Sequence, residues 1–333
     1  MADLRTRYMN IELKNPFIVG ASGLTGQLDT VKGLEDAGAA AIVTPSLFEE
    51  QIQLESFILE EDLHRFDNLY AEMTDLFPEV KHAGPEEHLR RVEKITEATD
   101  IPVIASLNAV YPETWIHYAD LLSRTGAHAL ELNFYATPNN PDRSGADIEQ
   151  EQLEIVQKIK EKVSIPVSVK LSPFYTNPLH VISSMSKTGV DGVVLFNRFF
   201  QPVIDPDKER NIIQHTLSDA HSSGMSLRFV GLGAFAVKSD ICASSGVMTG
   251  KNAASMILAG ADCVQVVSTL YKNKTENLTN LIKELGLWMD EKGYNNLSDF
   301  RGKLAAANNP DPWAFTRAQY VKMLLDPHVL RTS

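Results

Sequence analysis

The stretch Ser164–Tyr175, SIPVSVKLSPFY, places one lysine inside an otherwise apolar strand. Val167, Val169 and Leu171 form a short apolar run opened by Ile165-Pro166, the pattern of a strand buried on both faces, as in a parallel sheet. An ammonium group taken out of water there must lose its charge or meet an anion. Lys170, near the carboxyl end of the strand, therefore implies a partner: a ligand, or a neighbouring Asp or Glu in a structural ion pair. In a barrel of parallel strands the carboxyl end is where sites are built.

Working outward from that strand, one unit recurs: an apolar helical stretch, a glycine, then a short buried strand. It appears as LEDAGAAAIV (Leu34–Val43), LSRTGAHALEL (Leu122–Leu132), MSKTGVDGVVLF (Met185–Phe196) and ILAGADCVQVV (Ile257–Val267). Each glycine suits a helix C-terminus in a left-handed conformation, with the next strand starting within a few residues. A second variety enters its strand through Ile-Pro, at Ile101 and Ile165, since proline is tolerated at a strand's first position. The expected strands are Phe17–Gly20, Ala41–Val43, Val103–Leu107, Ala129–Leu132, Val167–Leu171, Val193–Phe196, Asp240–Ala243 and Cys263–Val267. Eight parallel strands alternating with helices predict an α/β fold, a closed (β/α)8 TIM barrel. Leu227–Ala236, LRFVGLGAFA, also has strand-like apolarity; it is assigned to the helix before the seventh strand, because Asp240–Ala243 then stands one helix before the eighth.

Two excursions interrupt the alternation, Glu49–Val92 after the second strand and Asn139–Gln150 after the fourth. Insertions there lie on the ligand-binding face. Thr275–Asp290 has helical apolar spacing, and further helices follow it. The expected organisation is one domain over residues 1–333, with the barrel at about 15–272 and C-terminal helices at about 275–333.

The 333 residues are 44% hydrophobic and 22% charged, ordinary for a globular protein with a sizeable core. Lys plus Arg number 31 against 43 Asp plus Glu, a net charge of −12, which argues against nucleic acid and anionic membrane as partners. The opening MADLRTRYMNIELKNP has no apolar signal core and no apolar run is long enough to cross a bilayer, so a cytoplasmic location is expected. Cys242 and Cys263 form no CxxC, giving no support for a disulfide scaffold or a zinc or iron–sulfur site.

The expected strand ends carry Ala21-Ser22-Gly23, Pro45-Ser46, Asn108, Asn133, Lys170, Asn197-Arg198, Ser244-Ser245-Gly246 and Ser268-Thr269. Such a rim is rich in donors and almost free of carboxylates. It suits a ligand with carbonyl and phosphate oxygens rather than a hard metal ion, which prefers carboxylates. Small residues 244–246, an amphipathic helix from about Lys251, and Ser268-Thr269 together have the makings of a barrel phosphate cradle after strands seven and eight. A plain turn remains the alternative for that glycine-containing segment.

These residues amount to a resemblance. NPFIVGASG (Asn15–Gly23), ELN (Glu131–Asn133), VKLSPF (Val169–Phe174), FN (Phe196-Asn197), SSGV before a helix ending in LAGAD, and FRGKL (Phe300–Leu304) occur in the order found in the dihydroorotate dehydrogenase family. The chain resembles the soluble, cytoplasmic class of these flavin-dependent barrels over Asn15 to about Leu304. The resemblance implies FMN across the strand ends, with Ala21 and Ser22 at the isoalloxazine, Asn108, Asn133, Lys170 and Asn197 along the ring and ribityl chain, and Ser245, Gly246, Ser268 and Thr269 at the phosphate. Lys170 would then stabilise the reduced ring, the charge developing in the reaction being its partner. Asn133, Asn139 and Asn197 would meet a small-molecule substrate, with Lys170 as the catalytic cation. Soluble relatives are commonly homodimers.

The sequence also departs from the family. The proton-abstracting Cys or Ser lies three residues after the Asn of ELN; here that place holds Ala136, whose methyl cannot take a proton. Thr137 is the nearest hydroxyl and Tyr135 the nearest phenol, and Thr137 is the candidate base. The family's lysine after the second strand falls near Pro45, its Gly-Leu-Pro-Asn loop has no counterpart in Leu76–Pro85, and Arg198 replaces a small hydroxyl residue. Arg198 either supplies a cation for a substrate carboxylate or pairs with Asp205. Two alternatives to dihydroorotate oxidation in pyrimidine biosynthesis stay open: a flavoprotein with another small substrate or little catalysis, and a Schiff-base lyase using Lys170.

Overall fold

The computed structural model describes residues 2–53, 84–135, 140–198, 203–212, 217–311 and 313–325. Twelve strands are described. β1 (Thr6–Tyr8) and β2 (Ile11–Leu13) form an antiparallel hairpin. The barrel consists of β3 (Phe17–Val19), β4 (Ala41–Phe48), β5 (Val103–Asn108), β6 (Ala129–Asn133), β7 (Val167–Leu171), β8 (Gly192–Leu195), β11 (Asp240–Ala243) and β12 (Cys263–Val266). These close in the order β11-β12-β3-β4-β5-β6-β7-β8, all neighbours parallel, with β12 meeting β3 through Gln265↔Ile18. β9 (Val203–Asp205) and β10 (Arg210–Ile212) pair antiparallel outside the barrel. The chain is thus the expected (β/α)8 barrel.

The local reasons are visible in the backbone. Gly38, Gly126, Gly189 and Gly260, the glycines of the repeated unit, all have positive φ, between 81° and 120°, and each turns a helix end into the next strand. Asn177 caps the helix Pro178–Lys187, its side chain accepting from the His180 N–H, and proline opens that helix without losing a hydrogen bond. The ambiguous segment is helical, Gly224–Gly233, and β11 follows it as the seventh barrel strand. Strand residues alternate between two apolar populations. Phe17, Val19, Leu130, Leu132, Val167, Val169 and Leu171 face the surrounding helices, whereas Ile18, Val43, Ile104, Val194, Cys242 and Cys263 fill the lower barrel with Tyr8 and Met9 of the hairpin. The hairpin is the floor. Each fully buried side chain of this size contributes about 1.5–3 kcal/mol.

Several boundaries differ from the sequence expectation. β4 runs on to Phe48, past Pro45, through a register shift between Val43 and Ser46, so Pro45-Ser46 lies within the strand. β12 ends at Val266, and Ser268-Thr269 opens a short helix, Ser268–Asn273. The next helix is Asn277–Lys292. Of the first excursion, residues 54–83 lie outside the described residues; its far end belongs to the helix Pro85–Ala98. In the second, the helix starts at Gly145. Among the described residues no helix is long and apolar enough to cross a membrane.

Candidate active site

A cavity of about 620 Å³ opens at the carboxyl ends of β3, β7, β8, β11 and β12, within the range of small-molecule sites. Ala21, Ser22, Lys170, Asn197, Arg198, Ser245, Gly246 and Ser268, all singled out in the sequence, line it. Two cations and several hydroxyls face the space, and among the described lining residues there is no Asp or Glu. The Ser22 hydroxyl is buried without a hydrogen-bond partner. A buried polar atom left unpaired beside a cavity is the mark of a ligand contact.

Ser245 and Gly246 have φ values of 73° and 76°. A non-glycine residue in that region carries strain of about 1–2 kcal/mol. A Cβ at Gly246 would lie 2.4 Å from the Ser223 nitrogen, so only glycine permits this close approach. The Ser245 hydroxyl donates to the Phe196 carbonyl at 3.2 Å, tying the loop after β11 to the end of β8.

The partner of Lys170 lies within the protein. Its Nζ is 3.7 Å from the Glu131 carboxylate and donates to Gln265 Oε1 at 3.2 Å, while Gln265 Nε2 donates to the same carboxylate. Glu131 is 1% exposed and Lys170 6%. The structural ion pair, the alternative reading of this lysine, is therefore present, and its carboxylate lies one layer below the rim. Sequence reasoning missed Glu131 and Gln265 as interior groups. For Glu131 the signal was available, since it lies two residues before Asn133, already placed at the rim, and so shares its face; Gln265 shares a face with Cys263, whose inward position only the barrel reveals.

The asparagines behave as a connected set. Asn197 Nδ2 donates to Asn133 Oδ1 at 2.6 Å, Asn133 Nδ2 reaches Ser46 Oγ at 3.4 Å, and Ser46 shares a 2.8 Å hydrogen bond with Ser106. Asn197 lines the cavity and Asn133 braces it. Asn108 ends β5, buried, outside the cavity lining. Thr269 is also outside: its hydroxyl donates to the Met248 carbonyl at 3.2 Å and accepts from Asn277 at 3.1 Å, so it fastens the short helix to the preceding loop. Arg198 is bonded to Ser218 at 2.6 Å, and Asp205 pairs with Lys208. Ala136, Thr137 and Asn139 lie outside the described residues.

With this geometry in place, comparison with known proteins is decisive. The family model described as dihydroorotate dehydrogenase matches residues 80–289. The chain belongs to the dihydroorotate dehydrogenase family. Its relatives include proteins named dihydroorotate dehydrogenase B (NAD(+)), catalytic subunit. That of Thermoplasma acidophilum is 26% identical over 311 residues, covering 91% of this chain and 99% of that protein. The Thermoplasma volcanium protein is 27% identical, with 91% and 98% covered. The Methanocaldococcus jannaschii protein is 24% identical over 309 residues, with 86% and 96% covered. Dihydroorotate dehydrogenases are flavin-dependent enzymes, and the chain is a dehydrogenase of that kind.

The donor set fits a flavin mononucleotide. Ser22 offers an unpaired hydroxyl, Lys170 and Arg198 offer positive charge, and the constrained Ser245-Gly246 turn lets an oxygen-rich group approach the backbone. The Schiff-base alternative needs an acid/base group opening onto the cavity beside Lys170. Glu131 is buried beneath it, and no carboxylate stands in the described lining.

Proposed function

We propose that the chain is an FMN-dependent oxidoreductase acting on a CH–CH bond of a small carbonyl-bearing ring, with dihydroorotate, named for its relatives, as the first substrate to test. The observation that carries this reading is the cavity at the strand ends, lined by Lys170, Arg198, Asn197 and five serines without a carboxylate among the described lining residues. Ala21 and Ser22 would support the ring, Lys170, Asn133 and Asn197 its polar edge, and Ser245, Gly246 and Ser268 the phosphate; Asn108 and Thr269 act from behind. When bound, FMN supplies the hydride acceptor.

The protein's own part is orientation and charge. Glu131 and Gln265 hold Lys170 at the base of the cavity, where its charge favours electron density arriving above it. Asn133 and Asn197, hydrogen-bonded to each other, present amides to substrate carbonyls, and Asn139 is assigned to the same task. Ala136 cannot accept a proton, so the task falls to Thr137, and turnover of dihydroorotate is correspondingly slow. Position 136 tests this directly: Ala136→Cys raises the anaerobic rate of flavin reduction by dihydroorotate by about 100-fold, within the usual contribution of a positioned base.

The decisive experiment is the visible spectrum of the purified protein, followed by stopped-flow reduction with dihydroorotate. Flavin absorption that bleaches supports both cofactor and substrate. A yellow protein that stays yellow favours a paralogue with another small substrate or little catalysis, and a protein that takes up no FMN removes the proposal. The same reading treats residues 1–333 as one unit, a cytoplasmic homodimer testable by light scattering. The relatives' designation as catalytic subunits makes NAD+ and a separate partner chain the first candidates for electron transfer.

A further inference from the structure

We propose that Arg198 is the cation that binds the cofactor phosphate, beside Ser245, Gly246 and Ser268, with Ser218 as its positioning residue. The proposal rests on the FMN reading and deepens it.

In a (β/α)8 barrel a phosphate is expected at the loops after strands seven and eight, helped by the N–H groups of a nearby helix. Here the helix Gly250–Ala259 follows the seventh strand, but two of its first three N–H groups are already used. The Gly250 N–H donates to the Glu284 carboxylate at 2.7 Å, and the Asn252 N–H donates to Thr249 Oγ1 at 3.2 Å. Gly250 itself is explained by this contact: a Cβ there would lie 2.5 Å from both Glu284 Cβ and the Leu285 nitrogen. The glycine serves the close approach of the helix Asn277–Lys292, and that approach brings in a carboxylate. A carboxylate at the helix N-terminus repels a second anion, so positive charge must come from elsewhere.

Arg198 is the cation placed to supply it. Its Nη1 donates to Ser218 Oγ at 2.6 Å; the Ser218 N–H donates to Ser268 Oγ at 3.0 Å; and the Ser218 carbonyl accepts from Lys272 Nζ at 2.9 Å. Ser218 is 4% exposed, a buried hub joining Arg198 to the first residue of the short helix after the eighth strand. One N–H of the guanidinium is thereby spent on orientation. The fork lines the cavity and pairs with no carboxylate among the described residues. A planar fork anchored by one edge matches a phosphate bidentately. Lys170 is held by Glu131 and Gln265 instead, so the two cations serve different parts of one ligand.

The test is a pair of titrations on the full-length, flavin-stripped protein, following fluorescence quenching of FMN and of riboflavin, which lacks the phosphate. Arg198→Ala weakens FMN by about 30-fold or more, the cost of truncating one partner of a hydrogen-bonded charge pair, and leaves riboflavin within about 3-fold. Arg198→Lys recovers part of the loss, and Ser218→Ala gives a smaller loss, again for FMN alone. Equal weakening of both flavins by Arg198→Ala overturns the proposal in favour of a structural role. Unchanged FMN affinity with weakened orotate binding overturns it in favour of a substrate contact. If the parent binds FMN and only these variants disagree, the FMN reading survives without Arg198; if the parent binds neither flavin, both fall together.

Discussion

The floor and the mouth of this barrel are made by the same eight strands, yet they carry opposite charge chemistry. At the floor, where parallel strands begin, backbone N–H groups need acceptors. Asp191 accepts from the Val167 N–H at 2.8 Å, Asp262 from the Ile241 N–H at 2.8 Å, and Asp240 from the Met9 N–H of the hairpin at 2.7 Å. At the mouth, where strands end, the described lining holds Lys170 and Arg198 and no carboxylate. In a chain with a net charge of −12 this concave surface stands apart: Lys170 is balanced from below by Glu131, and Arg198 pairs with no carboxylate among the described residues, a setting that favours an anionic ligand. The lesson is that parallel strand polarity itself sorts the charged residues: acids satisfy the donors at one end, leaving the other free for donors aimed at a ligand.

The largest expected effect lies at the neck between the two regions. Lys170→Met strands the buried Glu131 carboxylate, and chemical denaturation of the apoprotein should show a loss of about 3–5 kcal/mol. Adding Glu131→Gln should return most of it; failure to do so would mean that the lysine's stem rather than its charge carries the effect.

A middle-sized effect separates the floor from the barrel's outer wall through pH. Burial pushes the Asp262 carboxyl up to about 6, against hydrogen bonding from the Ile241 N–H and the nearby Arg301. Its native form therefore holds a proton more tightly than the unfolded chain, and its contribution, about 3 kcal/mol, is present below about pH 4 and lost as pH rises to about 6. His88, on the helix Pro85–Ala98, is shifted the other way, lowered to about 4 by burial and then by Arg91. Its contribution is present above about pH 6.5 and lost as pH falls to about 4. The two oppose each other between pH 4 and 6. Urea titrations should therefore show Asp262→Asn less stable at pH 4 than at pH 6 relative to the parent, and His88→Leu the reverse.

The smallest effect is at the floor's centre. The Tyr8 hydroxyl is buried without a hydrogen-bond partner, and a Cβ on Gly192 would come within 2.6 Å of it. Tyr8→Phe should stabilise the protein by up to about 1 kcal/mol and leave FMN affinity unchanged, since the ring lies at the end opposite the ligand. A change in flavin binding would show that floor and mouth are coupled.

Much of this was legible in the chain. Strand polarity, the glycine-ended αβ units and the Lys170 strand are local patterns, so periodicity and turn chemistry reveal them, and even the doubtful Leu227–Ala236 resolved correctly by spacing. What escaped notice depends on partners far apart in sequence. Glu131 meets Gln265 across the barrel, and Glu284 caps a helix that begins 34 positions earlier. The floor hairpin was missed because TRYMNIEL is too short and too polar to announce two strands. β4 continued beyond Pro45 because the pairing of Ser46, Leu47 and Phe48 with β5 outweighed the missing donor of one proline.

The pairing of β3 with β12 has a consequence for biosynthesis. The first barrel strand emerges from the ribosome long before its closing neighbour, so Phe17-Ile18-Val19 waits with one open, apolar edge while nearly the whole barrel is translated. Such an edge invites other nascent chains. Expression that stops short of Cys263 leaves that edge unsealed, and inclusion bodies are its natural fate.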